Sequence, residues 1–227
     1  MGNSCAPHIA ETGKQQQRRT SAMRVTISTP ETTLSEDTET ENEHLHQYEW
    51  SLIQIAHKRC MEGDLALKIG DLDRAMSKYQ QMLHVPKRIP NNPRAGQYIQ
   101  QIAMGSMAEV FMQKVDYNDA LRLYDIALDI SQELNDRRGE AIIRLKIGII
   151  HRDLRQYKRA SNQCHLAVDI FREVHNQSVD EAIALRTLGS ILHKRRGKLE
   201  ASKQCYRRAR AIFRAHNDRQ LEETIMV

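Results

Sequence analysis

The sequence predicts an all-α protein in which paired helices stack into a solenoid behind an N-terminal tail. From Tyr117 to Gly148, small and apolar residues recur at steps of three and four, which places them on one face of each of two helices. Forty-one positions later, Asn135 and Gly148 return as Asn176 and Gly189. A fixed period of this length in paired amphipathic helices is typical of a helical solenoid.

Small residues inside the predicted helices indicate how each pair packs. A glycine within a helix costs about 1 kcal/mol relative to alanine, and Gly148 and Gly189 offset that cost if they let a partner helix approach closely. Ala160 and Ala201, on those partner helices, are small for the same reason. The residues that we expect to pack the pairs together are Gly63, Ala75, Tyr79, Ala108, Ala120, Tyr124, Ala127, Gly148, Ala160, Ala167, Gly189 and Ala201.

This spacing of small and large residues resembles the tetratricopeptide (TPR) pattern. It is similar to the longer TPR class, of roughly forty residues, found in the Pins/LGN proteins and in rapsyn. The stretch ELNDRRGEA, from Glu133 to Ala141, carries the local match, and the resemblance covers the chain from Trp50 to its C-terminus. It implies a solenoid of about four helix-turn-helix repeats whose first helices line a groove for a protein or peptide.

The TPR domain is predicted to span 43–227. Its helical pattern starts at Glu43 and runs to Ile69, which is long for one repeat helix, and Trp50 is expected to pack against the first helix pair. An apolar stripe follows one side of this helix. The stripe consists of Leu45, Tyr48, Leu52, Ile55, Ala56 and Cys60.

Prolines interrupt the helical pattern between Pro86 and Pro93. Because proline removes a backbone donor and fixes the backbone, this stretch is predicted to be a lengthened loop after the first repeat. No proline follows Pro93, which predicts nearly continuous helix from there on. The repeats are placed at about 51–85, 95–135, 137–176 and 178–217, and a short terminal helix follows them.

Residues 1–42 differ in composition from the rest of the chain. They are rich in Ser and Thr, hold an acidic cluster between Glu36 and Glu41, and contain few large apolar side chains. Such a segment does not bury enough surface to offset its ordering entropy. The sequence therefore predicts a disordered tail.

The first five residues, Met1 to Cys5, resemble an N-myristoylation signal. Gly2 would carry the myristoyl group, and Cys5 is placed for palmitoylation. Ala6 and Pro7 depart from the usual signal, which prefers Ser or Thr at the sixth position. Because one myristoyl chain binds a membrane only marginally, stable anchoring needs a second signal, which Cys5 could supply.

Composition predicts a cytoplasmic helical protein. Aromatic residues make up 5% of the 227-residue chain, which suits helices built on Leu, Ile, Ala and Met. The sequence has neither an apolar run long enough for a transmembrane helix nor the apolar core of a secretory signal. Its four cysteines lack CxxC spacing and are interpreted as free thiols. Cys164 and Cys205 occupy equivalent repeat positions and are expected to be small core residues.

Motifs of catalysis are missing from the sequence. It contains no HExxH, no glycine-rich phosphate loop before a helix and no GxSxG elbow. The ten histidines are scattered, and His44 and His46, two apart on a helix, point in different directions. We expect no enzyme activity, no metal or other cofactor, and no small-molecule substrate.

One TPR groove chemistry can be tested on the sequence. TPR domains that grip a chaperone's terminal carboxylates resemble one another in placing Asn directly after the small residue of the first helix. The corresponding positions here are Asp64, Glu109, Ile149 and Ser190. Two of them are acidic and would repel a carboxylate. The sequence therefore predicts no chaperone clamp, and it also departs from the Leu-Gly-Asn of Pins/LGN repeats.

Basic residues concentrate near the C-terminus. Lys203, Arg207, Arg210 and Arg214 lie three and four apart, on one face of the last repeat helix. The face has three possible roles: a solvated outer surface, a contact for an anionic membrane, or a contact for an acidic protein segment. Membrane contact would contribute about 1 kcal/mol per basic residue near the surface. Nucleic acid is not expected, because the sequence has no nucleic-acid motif and few interleaved aromatic residues.

These features together predict a non-enzymatic adaptor that holds a protein partner at the cytoplasmic face of the plasma membrane, as a peripheral protein. The resemblance to rapsyn implies the clustering of receptors beneath a synaptic membrane. The alternative is a soluble Pins/LGN-like scaffold that acts in polarity or G-protein signalling.

Overall fold

The structure, a computed structural model, describes residues 36–223, and Gly2, Cys5 and residues 224–227 lie outside this range. Within that range every regular element is helical. The elements are α1 (Glu36–Lys68), α2 (Leu72–Met82), a 3-10 turn (Pro86–Arg88), α3 (Pro93–Gln113), α4 (Tyr117–Glu133), α5 (Arg137–Asp153), α6 (Tyr157–Val174), α7 (Val179–His193), α8 (Leu199–Ala215) and α9 (Arg219–Glu223).

The helices pack as consecutive pairs. The chain forms two units, which meet in sequence between Asn42 and Glu43. Within residues 43–227 the most extensive contacts join α3 to α4, α5 to α6, and α7 to α8. The second helix of each pair also packs against the first helix of the next, and α9 packs on α8. This arrangement is the predicted all-α repeat solenoid, with α1 and α2 as its first pair.

Short turns between the helices use the left-handed backbone region. Asp71, Asp116 and Asp136 cap α2, α4 and α5, because their side chains accept the backbone N–H three residues on. The residue before each cap has a positive φ, which closes the preceding helix. Gly70 adopts this conformation easily, whereas Val115, at φ 61°, is a β-branched residue under strain.

Small residues lie where the paired helices come closest. A Cβ atom added to Gly148 would lie 2.5 Å from the Sγ atom of Cys164, and one added to Gly63 would lie 2.5 Å from the Tyr79 ring. Of the twelve residues predicted to pack the pairs, eleven are buried, and Ala201 is half-buried. The missing side chains therefore let the helices approach.

Helix α1 differs from the prediction at both its start and its exposed face. It begins at Glu36, before the predicted start at Glu43. Trp50 was expected in the first core but is 54% exposed. In the apolar stripe Leu52 and Ala56 are buried and Cys60 packs half-buried against the same core, whereas Leu45, Tyr48 and Ile55 are exposed. Helix α2 is much shorter than α1 and therefore leaves much of α1 uncovered. Tyr48, on the uncovered part, accepts a hydrogen bond from Arg88 in the turn that follows α2.

Candidate functional site

A cleft of about 350 Å³ opens along the first helices of the first three pairs. We call it the first-helix cleft. Its lining includes Asp64 on α1, Glu109 on α3 and Ile142 on α5. The first helices face it together because the pairs stack in register, as the TPR resemblance implied. It combines exposed apolar surface with several carboxylates.

Two equivalent acid–tyrosine pairs lie at the cleft. The Tyr79 hydroxyl donates a hydrogen bond to Asp64 at 2.7 Å, and the Tyr124 hydroxyl donates to Glu109 at 2.9 Å. Burial raises the pKa of both tyrosines well above the ordinary value, and the adjacent carboxylates raise it further. Both phenols therefore stay protonated and act as donors. Lys146 also pairs with Glu109, at 2.7 Å.

Gln101 offers an acceptor in the first-helix cleft. Its side chain, on α3, is 5% exposed and donates through Nε2 to Asp136 at 2.9 Å. The carboxylate of Asp136 caps α5 and, when ionised, only accepts, which sets the amide orientation. No donor among the described residues reaches the Gln101 Oε1 atom. An unpaired buried polar atom is costly, and this oxygen has almost no accessible surface, so a donor from outside reaches it only when the Gln101 side chain moves.

Two glycines keep the cleft open around Gln101. A Cβ atom on Gly139 would lie 2.3 Å from Gln101 Nε2, so glycine is required for the hydrogen bond to Asp136. A Cβ atom on Gly105 would meet nothing within 4 Å. Gly105 is therefore not needed for helix packing, and its missing side chain leaves room in the cleft.

The first-helix cleft carries more uncompensated acid than base. Lys146 is neutralised by Glu109, and Arg138 pairs with Asp180 at 2.7 Å. Asp64, by contrast, has no ion pair with any residue in the described range. This excess of negative charge agrees with the sequence argument against a carboxylate clamp. It favours a ligand that carries positive charge or hydrogen-bond donors.

The four positions tested for a clamp separate in the structure. Asp64 and Glu109 line the cleft, whereas Ile149 packs against the core of the last two pairs. The Ser190 hydroxyl donates to the Thr187 carbonyl within its own helix. The acidic positions thus belong to one end of the solenoid.

The predicted basic face lies on α8 and is partly neutralised. Lys203 and Arg207 approach Glu200 at 3.9 and 3.5 Å, and Arg214 pairs with Glu222. Arg210 is half-buried. The face therefore includes carboxylates that reduce its net charge.

Membrane-spanning helices, metal sites and reactive thiols would each indicate another function. No helix within residues 36–223 has the length and apolar character needed to cross a bilayer. No three His, Cys, Asp or Glu side chains in the same range converge as metal ligands. Burial raises the pKa of the Cys164 thiol to about 12, so it stays protonated and unreactive at neutral pH.

Sequence reasoning missed Tyr98, Gln101, Gly105 and Gly139 as cleft residues. One signal could have found Gly105: it is a helical glycine that lies outside the repeat's small positions, which Ala108 occupies in the same helix. Gln101 carries no such signal, because its importance depends on a neighbour from another helix pair.

The sequence matches models of one repeat family. Two tetratricopeptide-repeat models match, one over residues 103–138 and the other over 141–215. These ranges lie within α3 to α8. No curated protein is significantly similar to the whole sequence.

Solved structures share the fold. The apo form of RapI superposes with a TM-score of 0.66 at 19% identity, over 76% of this chain and 61% of RapI. The chain thus spans about three fifths of RapI. BtubC (BKLC) from P. vanneervenii gives a TM-score of 0.58 at 18% identity, over 81% of this chain and 83% of that one. At these identities the likeness concerns the fold alone.

Proposed function

The chain is a tetratricopeptide-repeat protein, and from this premise we propose that it is a non-enzymatic adaptor whose first-helix cleft holds a segment of a partner protein. The carboxylate of Asp64 carries the proposal, because it lies in the cleft beside exposed apolar side chains and has no ion pair among the described residues. An extended peptide offers backbone N–H groups at regular spacing, and exposed Tyr98 and Ile142 offer apolar contacts beside it.

The charges of the cleft define the partner further. Asp64 accepts hydrogen bonds from the Tyr79 hydroxyl and, at 4.0 Å, from the Cys60 thiol, and it keeps further acceptor capacity. A Lys or Arg side chain would pair with this carboxylate, whereas an acidic side chain would be repelled. We therefore expect a segment with basic or amide side chains and one apolar anchor.

Selection from a phage-displayed library of random peptides tests this proposal. We expect peptides enriched in Lys, Arg, Asn or Gln that shift the NMR resonances of the Gln101 side chain and the Gly105 amide. The variant Gly105→Trp fills the cleft and should abolish binding. Asn118→Trp places the same ring on an exposed position of α4 and serves as the matched control.

Two results would overturn the cleft as the binding site. One is the absence of any binder to a protein that circular dichroism shows to be folded. The other is equal binding by wild type and Gly105→Trp, when Gly105→Trp retains the helicity of wild type.

We also propose that the adaptor works at the cytoplasmic face of the plasma membrane. Support comes from the N-terminal sequence, in which Gly2 and Cys5 match acylation sites, and from the basic face on α8. An anchored adaptor of this kind would cluster receptors, as the resemblance to rapsyn implies. The alternative function is a soluble Pins/LGN-like scaffold in polarity or G-protein signalling, which needs no membrane anchor.

Intact mass and membrane fractionation separate the two readings. A myristoyl mass shift, with release of Gly2→Ala from membranes into the cytosol, is the result expected of an anchored adaptor. Cys5→Ser should release the protein partly, since it removes the second chain alone. An unmodified protein found in the cytosol would favour the soluble scaffold and remove the anchor from the proposal.

A further inference from the structure

A second cleft, of about 470 Å³, lies at the other end of the solenoid. It runs between the second helices α6 and α8, and α7 contributes to its lining. We call it the second-helix cleft. Four basic residues contribute to its lining: Arg172, Arg195, Lys198 and Arg208. None of them belongs to the basic face predicted from the sequence.

A buried carboxylate lies close to two of these guanidinium groups. Glu181 has no exposed surface, and its Oε1 atom lies 2.7 Å from Nη2 of Arg208 and 3.6 Å from Nε of Arg172. Its Oε2 atom accepts the Gln177 backbone N–H at 2.8 Å. Neither guanidinium forms a well-aligned hydrogen bond with Oε1, so the contact is one of charge. Most N–H donors of both arginines therefore stay available.

The other two cations are placed differently. Arg195 donates to the hydroxyl of buried Ser161 at 2.8 Å, which fixes its position on the cleft wall. Lys198 is exposed at the start of α8. Against these four cations stand the carboxylates of Glu181 and Asp169, and Asp169 approaches Arg172 at 3.7 Å. The cleft keeps a positive balance and several oriented donors.

We propose that the second-helix cleft binds an acidic segment of a partner protein through its Asp and Glu carboxylates. Arginine presents paired N–H groups that match a carboxylate, and Arg195 is already held in place by its hydrogen bond to Ser161. This proposal does not depend on the first-helix cleft, since the two clefts share no lining residue.

Two other anionic partners fit the second-helix cleft less well. Single-stranded nucleic acids bind by stacking bases on aromatic rings, and the described residues that line this cleft include no Phe, Tyr or Trp. A membrane presents a flat surface, whereas Arg172 and Arg208 are held in a recess above buried Glu181. Asp169 and Glu181 also oppose the dense charge of phosphates.

Fluorescence anisotropy with a labelled polyglutamate peptide tests the proposal. Wild type should bind this probe. Lys198→Glu should weaken binding about tenfold, since it reverses a charge beside the site. Lys194→Glu makes the same change in the same turn, at an exposed residue outside the cleft lining, and should weaken binding less than about twofold.

Three outcomes would overturn the proposal. Equal losses in both variants would mean that the probe senses overall charge. Tighter binding of a single-stranded oligonucleotide, or of vesicles containing phosphatidylserine, would assign the cleft to another partner class. Absence of polyglutamate binding to a chain with wild-type thermal stability would exclude the site. None of these results bears on Gly105→Trp, which tests the first-helix cleft separately.

Discussion

The first two helix pairs and the last two share a repeat but differ in the chemistry between their helices. In the first two, an acid follows the small residue of the first helix and accepts a hydrogen bond from a tyrosine of the second, as Asp64 does from Tyr79. In the last two, Ile149 and Ser190 take the acid's place. The Cys164 thiol lies against Gly148 in the third pair, whereas the Tyr206 ring lies against Gly189 in the fourth. The acid–tyrosine hydrogen bond of the first two pairs is thus replaced in each of the last two.

This difference shows what a repeat leaves open. The period requires small residues where helices meet, and both halves provide them. The neighbouring positions are free to vary, so an acidic cleft forms along the first helices of the first three pairs while a basic cleft forms on the second helices of the last two. One geometry therefore supports two surfaces of opposite charge.

The close approach in the third pair should be the most sensitive feature. Gly148→Ala places a Cβ atom 2.5 Å from Cys164 Sγ and 3.3 Å from the Ala160 carbonyl oxygen. Because a backbone atom cannot move aside easily, we expect unfolding in urea to show a loss of about 2 kcal/mol.

Gly105→Ala is the matched control for that change. The same methyl group meets open space there, and removing a helical glycine should raise stability by about 1 kcal/mol. Equal effects at the two glycines would contradict close helix packing at Gly148. Adding Cys164→Ala to Gly148→Ala should recover part of the loss.

Tyr79→Phe tests the polar pairs of the first half. Removing the hydroxyl leaves Asp64 with only the weak Cys60 thiol donor, and we expect a loss of about 1.5 kcal/mol in urea unfolding. Tyr124→Phe should cost less, because Glu109 keeps Lys146 as a partner. A larger loss in Tyr124→Phe would reverse this ranking.

Buried Glu140 should make stability pH-dependent in the second half. Burial alone would raise its pKa, but hydrogen bonds from Arg144 and Gln132, with the charges of Arg144 and Arg137, hold the pKa below its ordinary value of 4.5. A lowered folded pKa stabilises the protein above 4.5, and this contribution disappears as pH falls through the folded value. We therefore expect Glu140→Gln to cost about 1 kcal/mol at neutral pH.

The same substitution should matter less in acid. Urea unfolding below the ordinary pKa should show wild type and Glu140→Gln converging. Asp73→Asn is the matched control, because Lys114 lowers the pKa of Asp73 while its side chain is 93% exposed. That variant should change stability little at any pH, and parallel pH curves for wild type and Glu140→Gln would contradict the role of Glu140.

The smallest effect is expected in the turn after α3. Val115 has a φ of 61°, whereas Gly70 fills the equivalent turn after α1. Val115→Gly relieves backbone strain but gains chain entropy when unfolded, so we expect a net stabilisation of about 0.5 kcal/mol by thermal unfolding. Destabilisation would indicate that the exposed Val115 side chain packs usefully.

The sequence was sufficient for the fold because repetition makes local patterns report on packing. Gly148 and its equivalent Gly189 mark the helix contacts in any chain that contains them at this spacing. Trp50 was placed wrongly, since its environment depends on how short α2 is and how much of α1 it covers. The four-residue basic face was visible as a pattern, but its partners Glu200 and Glu222 were not.

The sequence by itself determined the all-α architecture, the repeat period and the acidic character of Asp64 and Glu109. Only the tertiary structure decided that Gln101 has an acceptor without a donor and that Glu181 lies beneath Arg172 and Arg208. The physical reason is the range of the interactions. Helix periodicity joins residues three or four apart, whereas both clefts combine side chains from three or more helices, whose charges meet only after the pairs have stacked.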